Sequence, residues 1–106
     1  MMKQIYSMKE FYRVIEEHEN VFVYWFTPWC PDCFAVKHYL PKLEEDFPKL
    51  VFYKMNRDDD IALAKHLEIF GIPSFTMYNK EDEIGRFVDK NKKTYEEVKA
   101  FIKNTL

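Results

Sequence analysis

Few residues of this chain can do chemistry, and the two most reactive are close together. The only cysteines, Cys30 and Cys33, lie in Trp29-Cys30-Pro31-Asp32-Cys33. This stretch follows an apolar run, Val21 to Phe26, that reads as a buried strand, and it precedes a helical pattern. Both sulfurs therefore fall where a helix begins. There the free backbone N–H groups and the positive end of the macrodipole favour an anion, so a thiolate on Cys30 is stabilised. The thiolate is the nucleophile of disulfide exchange. With two residues between them the second sulfur can reach the first, so a disulfide attacked by Cys30 can be resolved by Cys33 of the same chain. Pro31 suits an early helical position, which has no intrahelical use for an N–H.

Two other readings of the pair stand beside this one. Buried structural thiols would need no helix N-terminus. A closed zinc site would need four ligands, and the candidates His18, His38 and His66 show no paired spacing, so no metal ligand is assigned. Asp58 to Asp60 reads as a helix cap and solvated charge, because the ligand pattern and glycine of an EF-hand are absent.

The elements that must position the cysteines follow from periodicity. A short strand is expected at Gln4 to Tyr6, and Ser7-Met8-Lys9-Glu10 has the spacing of a capping box that opens a helix. Met8, Phe11, Val14 and Ile15 form its apolar stripe, and Asn20 is expected to end it. Val21 to Phe26 shows no alternation, the pattern of a strand covered on both faces, and is read as the central strand. After the cysteines, Val36, Leu40, Leu43 and Phe47 recur at helical intervals. Pro41 should kink this helix without ending it, and Pro48 should stop it.

Leu50 to Met55 reads as a second buried strand, followed by turn and cap residues Asn56 to Asp60 and a short helix over Ile61 to Leu67. Ser74 to Tyr78 and Glu83 to Val88 suit a hairpin, with Gly85 inside the second strand. Thr94-Tyr95-Glu96-Glu97 opens a closing helix. The order βαβαβα, then a hairpin, then a helix, implies an α/β fold with a mixed sheet and helices on both faces.

Composition bounds the function. The 106 residues are expected to form a single domain, residues 1–106, and 47% hydrophobic with 18% aromatic content argues for a folded core. A formal net charge of -2 gives no electrostatic case for nucleic acid or an anionic membrane. The first residues lack a signal-peptide pattern and no apolar run reaches a transmembrane length, so a cytoplasmic location is expected. In a reducing compartment two cysteines point to catalysis or metal binding.

The Trp-Cys-x-x-Cys after a central strand, the Gly71-Ile72-Pro73 about forty residues on and the closing helix together resemble the thioredoxin family over nearly the whole chain. The resemblance implies a thioredoxin fold in which Cys30 is the exposed attacking thiol, Cys33 is the shielded resolving thiol and Pro73 is cis. It also implies a substrate-gripping rim of Trp29, Pro31, Ile72 and Pro73. The activity implied is protein-disulfide reduction, on protein or small-molecule disulfides, with electrons from a thioredoxin-reductase-like donor. No cofactor of its own and a monomeric state are expected.

Departures from the family pattern bear on mechanism. Pro-Asp stands between the cysteines where Gly-Pro is usual, and Tyr24 stands where a buried aspartate usually handles the proton of the resolving thiol. Its usual lysine partner is matched by Lys54, which could equally be a strand-edge residue with a solvated head. Asp32 is then the nearest carboxylate in sequence, opposing the Cys30 thiolate and able to take the Cys33 proton. His38 stands where a proline is usual, and Val88 to Asn91 lacks the usual glycine beside the active site. An adaptor or chaperone-like binding module with a vestigial redox pair is the alternative function, and the intact cysteines favour the enzyme.

Overall fold

The computed structural model describes residues 2–106. A strand that is apolar on both faces must lie inside a sheet, and β2 (Asn20–Phe26) does. With β1 (Lys3–Ile5), β3 (Val51–Asn56), β4 (Ser74–Asn79) and β5 (Asp82–Phe87) it forms one sheet in the order β1-β3-β2-β4-β5. The β1–β3 and β3–β2 pairs are parallel, and β2–β4 and β4–β5 are antiparallel.

Alternation along β2 sends Val21, Val23 and Trp25 to one face and Phe22, Tyr24 and Phe26 to the other. Helix α1 (Met8–Glu17) covers the first face, where the Phe11 ring lies 6.1 Å from that of Trp25 and 5.4 Å from that of Tyr78. Trp25 Nε1 donates to Thr76 Oγ1 at 3.0 Å, so the one polar atom of the indole is satisfied inside the core. The second face receives α2 (Pro31–Lys37) and α5 (Tyr95–Thr105). There Phe75, Phe87 and Phe101 follow one another at 6.2 and 5.7 Å, carrying the packing from strand to helix.

Local chemistry sets the helix starts. Ser7 Oγ accepts from Glu10 N–H, and Thr94 and Glu97 make a reciprocal capping box. Asn56 opens a 3-10 turn, Arg57–Asp60, and Asp60 then caps α4 (Ile61–His66) by accepting from Leu63 N–H at 3.0 Å. Within β5, Gly85 has a packing reason: a Cβ there would come 2.7 Å from Thr105 Cγ2 of α5.

Two elements differ from the sequence expectation. Asn20 does not end α1, which stops at Glu17. Asn20 instead begins β2, paired with Asn79 and accepting from Asn79 Nδ2 at 2.9 Å. The helix after the cysteines is two helices rather than one kinked helix, with α3 (Leu40–Asp46) separated from α2. Pro41 has no N–H for the Lys37 carbonyl, and the backbone compensates with tighter bonds from His38 N to Ala35 O and from Tyr39 N to Val36 O.

Candidate active site

The chain leaves β2 at Phe26, turns through Thr27 to Trp29, and enters α2 with Cys30 as its N-cap. Pro31 fills the first helical position and has no N–H to offer, and the Cys33 N–H two residues on donates to Cys30 Sγ at 3.2 Å. Helix start and thiol thus coincide in one side chain. The geometry also corrects the expectation of an exposed Cys30. Both cysteines are free and both are buried, Cys30 retaining 8% of its surface and Cys33 3%. Cys30 is recessed because its sulfur folds back over the first turn of α2 as a cap.

The two thiols differ in surroundings more than in exposure. Burial pushes the Cys33 thiol up from an ordinary 9.0 to about 12, the Cys30 sulfur beside it adds to the rise, and a backbone bond from Thr27 opposes it. Beneath Cys33, Tyr24 donates its hydroxyl to the Cys33 carbonyl at 2.7 Å. Burial, followed by the nearby Cys33, also holds the Tyr24 phenol well above its usual range. Tyr24 is therefore a donor and a strut, unable to take a proton from the thiol.

Asp32 sits half-buried in the first turn of α2. Lys54 is paired with Tyr24 in register, so it lies on the same face of the sheet, and its Nζ stands 5.7 Å from the centre of the Phe26 ring. Among the described residues it makes no ion pair.

The expected rim residues meet at the same end of the sheet, since Ser74 at the start of β4 pairs with Trp25 near the end of β2. The Ile72-Pro73 peptide is cis and both residues are buried. Pro31 and Trp29 are exposed, Trp29 at 65%. A contact invisible in the sequence holds the indole in place: Trp29 Nε1 donates to Asp58 Oδ2 at 3.2 Å, and the Arg57 guanidinium lies 5.8 Å from the ring centre. Asp58, read from sequence as cap or solvated charge, is a positioning residue, whereas the caps are Asn56 and Asp60.

The segment after β5 has no glycine, and Gly71 supplies the close approach instead. A Cβ on Gly71 would lie 2.3 Å from the Asp89 carbonyl carbon, so backbone meets backbone there. Lys93, its side chain 1% exposed, ties this segment together by donating to Asp89 Oδ1 at 2.7 Å and Asn91 O at 2.8 Å. The Lys93 ammonium holds the Asp89 carboxyl below its usual range. No sequence signal marked Lys93.

Among the described residues no three of His, Cys, Asp and Glu converge to hold a metal ion, and no helix is long and apolar enough to cross a membrane. The thioredoxin family model matches residues 3–104. Thioredoxin of Oryctolagus cuniculus is 31% identical over 98 residues, covering 91% of this chain and 93% of that protein. Human thioredoxin is 28% identical over the same coverage. Among solved structures, Plasmodium falciparum thioredoxin has a TM-score of 0.87 at 23% identity, covering 99% of this chain and all of the other. Fasciola hepatica thioredoxin has a TM-score of 0.85 at 20% identity, with the same coverage.

Proposed function

The chain belongs to the thioredoxin family and is a thiol-disulfide oxidoreductase with a CxxC active-site pair, and from that premise we propose a disulfide reductase in which Cys30 attacks and Cys33 resolves. One observation carries the assignment. Cys30 caps the helix and its sulfur accepts an amide N–H, whereas Cys33 is pushed toward its protonated form by burial. In the first step a bond forms from Cys30 Sγ to one substrate sulfur and the other leaves as a thiolate, which takes a proton from water. In the second, Cys33 loses its proton and attacks Cys30 Sγ, which releases the second substrate thiol and leaves a Cys30–Cys33 disulfide. Two electrons from a reductase-type donor restore the dithiol. A reducing compartment, the cytoplasm, and a monomeric state suit this cycle.

Trp29, Pro31, Ile72 and Pro73 grip the segment that carries the substrate disulfide, with Trp29 held by Asp58. Lys54 supports the developing thiolate as a nearby cation. The proton of Cys33 needs an acceptor, and Tyr24 is committed as a donor. Asp32 takes this role through solvent, being the carboxylate in the first turn of the same helix.

The test is turnover of a protein disulfide such as insulin with dithiothreitol as reductant. Sustained catalysis that Cys30→Ser abolishes supports the enzyme, whereas a rate no higher than dithiothreitol alone would leave a binding module. In Asp32→Asn, a preformed mixed disulfide should resolve at least about tenfold more slowly. An unchanged rate would remove Asp32 from the mechanism.

A further inference from the structure

A cavity of ≈530 Å³ opens beside the cysteines, and both Cys30 and Cys33 line it. Its volume is that of a small-molecule site. Phe26, Pro28, Phe34 and Leu40 give it apolar walls, and its charged residues are Lys37, Lys54 and Glu44, an excess of one cation. None of the rim residues Trp29, Pro31, Ile72 and Pro73 lines it, so it is a different surface from the one that grips a substrate segment.

Two of its polar groups are unpartnered. Lys54 is half-buried with no carboxylate in ion-pair distance among the described residues, because the position it faces in the register carries Tyr24. Thr27 Oγ1, in the same wall, is a buried side-chain oxygen with no hydrogen-bond partner. An apolar cavity that holds an unpaired ammonium and is lined by the helix-capping sulfur of Cys30 selects an apolar body, one anionic group and a sulfur electrophile.

We propose that this cavity binds low-molecular-weight disulfides that join an aromatic or aliphatic body to a carboxylate, with the carboxylate on Lys54 and the disulfide at Cys30. The proposal deepens the reductase reading and rests on it. Cys30 Sγ bonds to the nearer sulfur of R–S–S–R and the other leaves as R–S⁻, protonated by water. Cys33 then closes the intramolecular disulfide and frees the second R–SH. The protein dithiol is oxidised by two electrons, the small disulfide is reduced to two thiols, and an external dithiol resets the pair.

The test compares 5,5′-dithiobis(2-nitrobenzoate) with its uncharged carboxamide counterpart, each kcat/KM normalised to the reaction of the same compound with a free thiol. Normalisation removes intrinsic electrophilicity, and the ratio of the two compounds cancels any effect on sulfur reactivity. Wild type should prefer the carboxylate by roughly five- to tenfold, and Lys54→Gln should bring the ratio close to one. A ratio near one in wild type, or one unchanged in Lys54→Gln, would overturn the proposal. Insulin reduction, run in parallel, separates the two levels. If insulin is reduced and neither small disulfide is, the cavity is no substrate site and the reductase reading stands. If nothing is reduced, both fail.

Discussion

A buried phenol beneath Cys33, with no carboxylate in its place, limits which proton steps the active site can run. Tyr24 braces Cys33 through its carbonyl, and burial leaves the thiol protonated far above neutral pH. A thiol whose folded value is raised stabilises the fold while it stays protonated. That contribution is complete below the ordinary value of 9.0 and is lost as pH climbs toward about 12. In urea unfolding of the reduced protein, wild type should therefore lose more stability than Cys33→Ser between pH 7 and pH 10, by on the order of 1 kcal/mol. Burial, the largest cause for each of the buried tyrosines, holds them above their usual range in both proteins, so their losses over this range largely cancel. Equal losses would show that Cys33 is not perturbed by the fold. At this scale the cysteines were legible because their type and spacing suffice. The Asp58–Trp29 bond and the buried Lys93 were not, since each depends on where distant or unpatterned residues meet.

Elements were legible where a single period or cap decides them, as in β2 and the Thr94 capping box, and less so where backbone geometry decides. The apolar stripe that continues past Pro41 predicts one kinked helix, whereas the backbone breaks between α2 and α3. The β4–β5 hairpin was legible from spacing, but its turn type was hidden. Lys80 and Glu81 both have positive φ, 49° and 75°, in a two-residue connection that normally selects glycine or asparagine. Neither residue type advertises it. Lys80 N–H donating to Glu19 O at 3.0 Å helps to hold the turn. Removing the Cβ at the second position relieves the left-handed strain, so Glu81→Gly should stabilise the protein by about 0.5–1 kcal/mol and raise the melting midpoint by about 2–6 °C. A lower midpoint would mean that the Glu81 side chain contributes more than its backbone costs.

For the molecule as a whole, the order of elements gave an α/β class, but strand order is a long-range property that periodicity does not encode. The resemblance, carried by Trp29-Cys30, Cys33 and Gly71-Ile72-Pro73, implies the fold family, and the order β1-β3-β2-β4-β5 is supplied by the structure. That topology brings the end of β2 and the start of β4 to one end of the sheet, which is how a motif near residue 30 and a cis-proline at residue 73 come to share a site. The same placement gives the two thiols unequal surroundings, one capping a helix and the other shielded beneath it, and the roles proposed for them rest on that difference. Reaction of the reduced protein with limiting iodoacetamide near neutral pH, followed by mass-spectrometric mapping, tests this assignment most directly. Cys30 should be modified first and Cys33 far more slowly, and Cys33→Ser should accumulate a mixed disulfide with a protein substrate while Cys30→Ser accumulates none. Faster modification of Cys33, or trapping through Cys33 in Cys30→Ser, would contradict the account.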